Sequence, residues 1–373
     1  MTAPRPISVH AVTRGGVELA ARLGAALGAE VRVPERLAHL APPDAVAFPL
    51  PMRAALAPVF GERRGHVFVM AAGAVVRLVA PLLESKWTDP AVVCVDEAGR
   101  FAVSLLSGHR GGANALAREV AAVIGAQAVV TTASDVRGTL PVDLFGAERG
   151  WTFEDPAGNA TRAATAMVEG APVLLVQEAG EPWPPAEDLP PNVRRANSLA
   201  AAARAPFEAL LLVTDRLPED GERGLFERAV LYRPRTLVLG VGCDRAAPAA
   251  LVERGVEALL ARHRLARASV RQLATVDLKA DEPALRALSE RLGCPLVTFP
   301  AEALDATPGM ERPSERVRGL VGTRGVAEPA ALRAAGARAL LVPKQVYTEP
   351  GAGRSMTLAV ARVPASRPEV ANG

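Results

Sequence analysis

The stretch LLSGHRGGANALAREVAAVIGAQAVVTTASD, residues 105–135, constrains the fold more than any other part of the chain. A short apolar run enters a glycine-rich turn, an amphipathic segment follows, and a second β-rich run comes after it. Leu116, Val120, Val123 and Ile124 recur at helical spacing, Asn114 is placed to cap the helix, and Gly125 ends it. Strand, helix and strand in this order predict at least a partly parallel sheet. If the two strands are parallel, the loops after Leu106 and after Val130 open at one sheet edge, where α/β proteins bind ligands.

The same alternation organises the rest of the chain. PISVHAV reads as a strand before the helix GGVELAARLGAALG, and HVFVMAAGAVVRLVAPLLES as a strand to about Ala71 with a helix from about Gly73. AVVCVDEAGRFAVSLL is a hairpin turning at residues 96–100. From about Gly146 come a helix and strand with Asp155-Pro156 at the helix start, then the proline-rich loop EAGEPWPPAEDLPPNV. FEALLLVTD and RTLVLGVGC are strands on either side of a polar link. The last segment alternates TLVLGVG, APAALVERGVEALLARH, ATVDL, EPALRALSERLG and PLVTFP, and ends in a hairpin of LLVPK with MTLAVARV. Asp281 is placed to cap EPALRALSERLG, Pro283 suits its first turn, and Gly293 follows its end. The expected molecule is α/β throughout. It has an N-terminal α/β domain with a partly parallel sheet (1–145) and a small α/β middle module (146–235). A compact C-terminal α/β domain with a mixed sheet (236–365) and a tail (366–373) complete it.

Composition removes several classes of function. At 373 residues and 49% hydrophobic content the chain can build two or three cores. No run approaches the roughly 20 apolar residues of a membrane helix, and the N-terminus lacks a secretory signal, so a soluble cytoplasmic protein is expected. Three cysteines cannot all pair, and no CxxC or HxxxH suggests a bound metal. A net charge of +3 with 4% aromatics gives no platform for nucleic acid. Of the 43 basic residues only Lys86, Lys279 and Lys344 are lysines, each at the end of a predicted element, where a compact ammonium can be wanted in place of a guanidinium.

Gly108-His109-Arg110-Gly111-Gly112, with Ser107 before it, is the main candidate for chemistry. Free amides at a helix start favour an anion, and His109 can exchange a proton near neutral pH. A tight structural turn explains the same glycines, and the loop is neither G-x-G-x-x-G nor G-x-x-x-x-G-K-[ST]. TTASD puts Thr131, Thr132, Ser134 and Asp135 near His109 if the strands are parallel; Asp135 then orients the imidazole or caps a turn. VLGVGCD is half a dinucleotide fingerprint, with Arg245 where the third glycine belongs, so close packing accounts for Gly240 and Gly242. Cys243 has no histidine near it in sequence, and Asp96-Glu97 fit a hairpin turn.

Taken together, residues 45–145 and 236–362 resemble the CbiG family of anaerobic cobalamin biosynthesis, the cobalt-precorrin-5A hydrolases. The resemblance rests on FVMAAGAVVRLVAPLLESKWTDP, SLLSGHRGGANALAREV and VVTTASD in the first part, and on LVLGVGCDR, ATVDLKADEPALRALSERLGCPLVTFPAEAL and LLVPKQ in the second. The second part is similar to the domain shared with CobE of the aerobic pathway. The resemblance implies hydrolysis of a cobalt-bearing tetrapyrrole: water opens a δ-lactone between the ring A acetate and carbon 20, and carbon 20 leaves with its methyl as acetaldehyde. It implies no cofactor beyond the cobalt carried by the substrate, and only transient contacts with neighbouring pathway enzymes. On that footing His109 transfers the proton, Asp135 orients it, and Ser107 with the Gly111 and Gly112 backbone contacts an oxyanion or carboxylate. Gly108, Arg110, Asn114, Thr131, Thr132, Ser134, Lys86, Asp277, Lys279 and Lys344 are the expected substrate contacts. Two alternatives stay open: a non-catalytic corrinoid carrier, and a nucleotide-binding α/β enzyme.

Overall fold

A computed structural model describes residues 6–85, 88–132, 139–155, 157–185, 188–350 and 353–365. The chain divides into two compact units, Met1–Leu144 and Phe145–Gly373. In the first, strands β1 (Ile7–Ala11), β2 (Glu30–Pro34), β3 (Val46–Phe48), β4 (Gly65–Val69), β5 (Ala91–Val95), β6 (Phe101–Leu106) and β7 (Gln127–Val129) form one sheet. Their order is β3-β2-β1-β4-β5-β6-β7. β1 to β5 are mutually parallel, β6 turns back against β5, and β7 is parallel to β6. The reversal brings the C-terminal ends of β6 and β7 to the same edge as the N-terminal ends of β4 and β5.

Alternation along the strands explains how both faces are covered. Val67, Val69, Val93 and Val95 pack with Val17 and Leu23 of α1 (Arg14–Leu27). On that face they also meet Leu116 and Val120 of the helix Ala113–Ile124. The intervening Phe68, Val92 and Cys94 pack on the other face with Leu56 of α2 (Met52–Leu56) and with Val75 and Val79 of α3 (Ala72–Val79). Burying each large apolar side chain here stabilises the sheet by about 1.5–3 kcal/mol. The helix Ala113–Ile124, α4, is capped not by Asn114 but by Gly112 at φ +86°, a left-handed conformation that glycine adopts without strain. Asn114 lies inside the first turn and is 5% exposed.

The second unit holds two five-stranded sheets. β8 (Thr152–Glu154), β9 (Val173–Gln177), β10 (Val193–Ala196), β11 (Ala209–Val213) and β12 (Ala229–Arg233) are ordered β10-β9-β11-β12-β8, with only β8 antiparallel to its neighbour. β12 occupies what the sequence presented as a polar link. Its buried run is only five residues long and ends in Arg233, whose guanidinium Nε pairs with Glu154 at 2.8 Å and whose Nη1 donates to the Thr214 and Arg216 carbonyls. Asp155 does start the next helix, accepting from the Asn159 and Ala160 amides.

β13 (Leu237–Cys243), β14 (Val270–Val276), β15 (Leu296–Phe299), β16 (Val342–Thr348) and β17 (Ser355–Arg362) form the mixed sheet β15-β14-β13-β17-β16, closed by the expected hairpin. A Cβ on Gly240 would lie 1.8 Å from the Ala327 carbonyl oxygen, so this glycine exists to let the helix Ala327–Ala335 rest directly on β13. The helix Pro283–Leu292 is preceded by Glu282 rather than capped by Asp281, and Gly293 closes it in the left-handed region. Asp215, 1% exposed, joins the two sheets of this unit. It accepts from Arg362 at 2.7 and 2.8 Å and from the Thr236 hydroxyl at 2.6 Å.

Candidate active site

The loop leaving β6 is held by its own backbone. Ser107 sits at φ +59°, and the Ala113 and Asn114 amides donate to the Ser107 and Gly108 carbonyls at 3.1 and 2.9 Å. The Gly112 amide donates to the His109 carbonyl at 2.9 Å. These bonds revise the expected cradle: while they stand, Gly112 cannot also donate to a substrate oxygen, and the first helical amides face inward. Gly111 is required by crowding. A Cβ there would fall 2.3 Å from the Ser107 Cβ and 3.0 Å from the Asp89 carbonyl oxygen, just ahead of β5. Asp89 in turn accepts from the Glu84 and Ser85 amides, so this flank is fixed against the loop.

His109 Nδ1 lies 3.2 Å from Asp143 Oδ1, with 20% and 23% of the two side chains exposed. A carboxylate only accepts, so the contact places an imidazole proton on Nδ1. The carboxylate beside His109 among the described residues is therefore Asp143. Asp135, Ser134 and Lys86 lie outside the described residues. Nothing in the local sequence pattern marks Asp143, which arrives through the path of the chain after β7. Asn114 accepts from the Ser104 hydroxyl at 2.6 Å and donates to Thr132 Oγ1 at 2.9 Å. It ties β6, α4 and the segment after β7 together. Gly108 is fixed by the same side chain: a Cβ on it would lie 2.7 Å from Asn114 Oδ1. Thr131 and Arg110 are exposed at this edge.

In the second unit, Lys279 is 9% exposed and pairs with Glu282 at 3.2 Å, while Glu282 also accepts from the Ala246 amide at 3.0 Å. Lys344 donates from its ammonium to the Arg312 carbonyl and from its amide to Glu328. Both lysines thus already hold partners of their own chain. Asp277, at the end of β14, is exposed. Burial pushes the Cys243 thiol up to about 11, which removes it as a nucleophile near neutral pH. Among the described residues, no group of three or more His, Cys, Asp or Glu is placed to share a metal ion, and no helix is long and apolar enough to cross a membrane.

The chain is 39% identical over 315 residues to the cobalt-precorrin-5A hydrolase of Priestia megaterium, covering 84% of this chain and 82% of that one. It is 32% identical over 334 residues to the cobalt-precorrin-5A hydrolase of Salmonella typhimurium, covering 88% and 91%. The chain belongs to the cobalt-precorrin-5A hydrolase family, CbiG. Models of the CbiG family match in chain order: cobalamin synthesis G N-terminal at residues 54–135, the cobalamin biosynthesis central region at 140–234, and cobalamin synthesis G C-terminus at 237–361. Protein CobE of Sinorhizobium sp is 37% identical over 113 residues, covering 30% of this chain and 73% of that protein. Within the CbiG chain, His109 belongs to the N-terminal match, whereas its partner Asp143 falls in the central one.

Proposed function

We propose that this CbiG protein hydrolyses cobalt-precorrin-5A, and that the reaction is centred on His109. The observation that carries the reading is the His109–Asp143 contact on a glycine loop at the point where the sheet reverses direction. Family membership along nearly the whole chain supplies the substrate.

In this reading His109 Nε2 takes a proton from water as its oxygen adds to the lactone carbonyl. The Gly111 amide and the Ser107 hydroxyl donate to the carbonyl oxygen as it gains charge. The acyl–oxygen bond breaks, carbon 20 keeps the oxygen, and that oxygen receives the proton, leaving a hydroxyl on carbon 20 and a free ring A acetate. When that hydroxyl loses its proton, carbon 20 departs with its methyl as acetaldehyde. The bonding pair stays on the ring carbon, which takes the proton. Asp143 holds the imidazole and stabilises its cationic form. Arg110, Thr131 and Thr132 meet substrate carboxylates at this edge, and Lys86 and Ser134 are proposed as further contacts. The cobalt is part of the substrate, and the named residues act without a protein-bound cofactor. Contact through Lys279 or Lys344 requires displacing Glu282 or the Arg312 carbonyl. Hand-over of the product to the next pathway enzyme is transient.

Incubation with cobalt-precorrin-5A should release acetaldehyde stoichiometrically with loss of substrate. Tight binding without acetaldehyde would instead establish a corrinoid carrier.

A further inference from the structure

A cavity of about 290 Å³ opens at the seam between the two sheets of the second unit, lined by residues ahead of β8, after β9, around the start of β13 and on β14. Among the described residues, three guanidinium groups, Arg149, Arg235 and Arg271, line it against one carboxylate, Glu181. The lining side chains therefore carry an excess of two positive charges. Part of the lining is held by contacts within the chain. Arg235 Nη1 donates to the Gly293 carbonyl at 3.2 Å, and Trp151 stands edge-on between Phe145 and Trp183. Arg149 lies over the Trp183 ring at 5.4 Å and reaches Glu181 at only 3.4 Å. The Asp215 network described above locks the two sheets beside it.

We propose that this cavity binds a compact dianion, either a dicarboxylate or a phosphate group, held by Arg235 and Arg271 with Trp151 as its apolar wall. Two negative charges match the excess, and planar guanidinium forks suit carboxylate and phosphate oxygens. The volume is at the small end of ligand pockets, about 300 Å³, too little for a tetrapyrrole macrocycle, and every lining residue belongs to the second unit.

The test is titration of the full chain with succinate and, in a parallel arm, with inorganic phosphate. Tryptophan fluorescence and calorimetry follow each arm, against sodium chloride at matched ionic strength. Saturable binding is expected in one arm, which identifies the oxyanion. Arg271→Gln and Arg235→Gln should each weaken it about tenfold, the loss of one charge-assisted contact. Glu181→Gln, at an exposed position with little risk to folding, should tighten it several-fold, and His109→Ala should leave it unchanged. A response equal to that of chloride in both arms, or unchanged affinity in both Glu181→Gln and Arg271→Gln, overturns the proposal.

Discussion

The first unit contains two histidine settings within one sheet, and they differ in what the imidazole can do. His10 and His66 lie side by side on β1 and β4, with His10 Nε2 3.0 Å from His66 Nδ1 and His66 Nε2 3.0 Å from the Phe60 carbonyl oxygen. Since a carbonyl only accepts, His66 donates from Nε2 and accepts on Nδ1 from His10 Nε2, which fixes the His66 ring as neutral. His10 stacks on Phe68 at 4.6 Å and His66 on Phe60 at 5.1 Å. Burial, joined by each neighbouring positive charge, holds His10 well below the usual histidine range and lowers His66 to about 4. His109 instead has a carboxylate on one nitrogen and keeps 20% of its side chain exposed. The buried pair is a hydrogen-bonded strut, whereas His109 is the imidazole to which the proposed reaction assigns proton exchange.

Substitution should separate the two settings in opposite directions. His109→Ala should lower the rate of acetaldehyde release by roughly 10²–10⁴-fold, the usual worth of general acid–base catalysis. Its thermal midpoint should stay close to that of the parent. An equal activity loss in His66→Ala, per folded molecule, would erase the distinction. His66→Ala should instead leave activity per folded molecule intact and reduce unfolding free energy by about 3 kcal/mol, measured by denaturant titration. That loss combines the stacking removed from Phe60 and Phe68 with a stranded donor on His10.

Acidification sharpens the same contrast. His66 has an ordinary value of 6.5 when unfolded and about 4 when folded, so below 6.5 the unfolded chain binds the extra proton. The stability linked to this group is complete above pH 6.5 and is lost as the pH falls through about 4, by at most about 3 kcal/mol. His10 acts in the same direction. Denaturant melts between these pH values should show the decline, and a His10→Phe, His66→Phe variant should show a flatter profile.

How much of this was legible in the sequence follows from the range of each interaction. The run from β6 through α4 to β7 was readable because its apolar periods and glycines act within a few residues, and the terminal hairpin was readable for the same reason. The residue chosen as cap was not, because Asn114 suits an N-cap by type while the loop closes through left-handed Gly112 and turns Asn114 inward. Asp135 lies outside the described residues; among those described, the carboxylate that the chain path brings to His109 is Asp143. The two remaining lysines of the second unit stood out by rarity, but their partners, Glu282 and the Arg312 carbonyl, are tertiary facts. The histidine strut depends on register, His10 opposite Phe68 and His66 opposite Ser8, which neither strand discloses alone.

The smallest and most diagnostic effect belongs to Asp143→Asn. An amide oxygen can still accept from His109 Nδ1, so the ring keeps its orientation and substrate binding should change little. What disappears is the negative charge that stabilises the imidazolium formed when Nε2 takes its proton. The expected result is a fall in kcat of about tenfold, near 1.4 kcal/mol, with KM almost unchanged. Asp143→Ala should cost more, because it removes the orienting acceptor as well, and Asp143→Glu should recover part of the rate. If Asp143→Asn raised KM and left kcat alone, the carboxylate would be a substrate contact. His109 would then need another source for the charge that makes it differ from the buried pair.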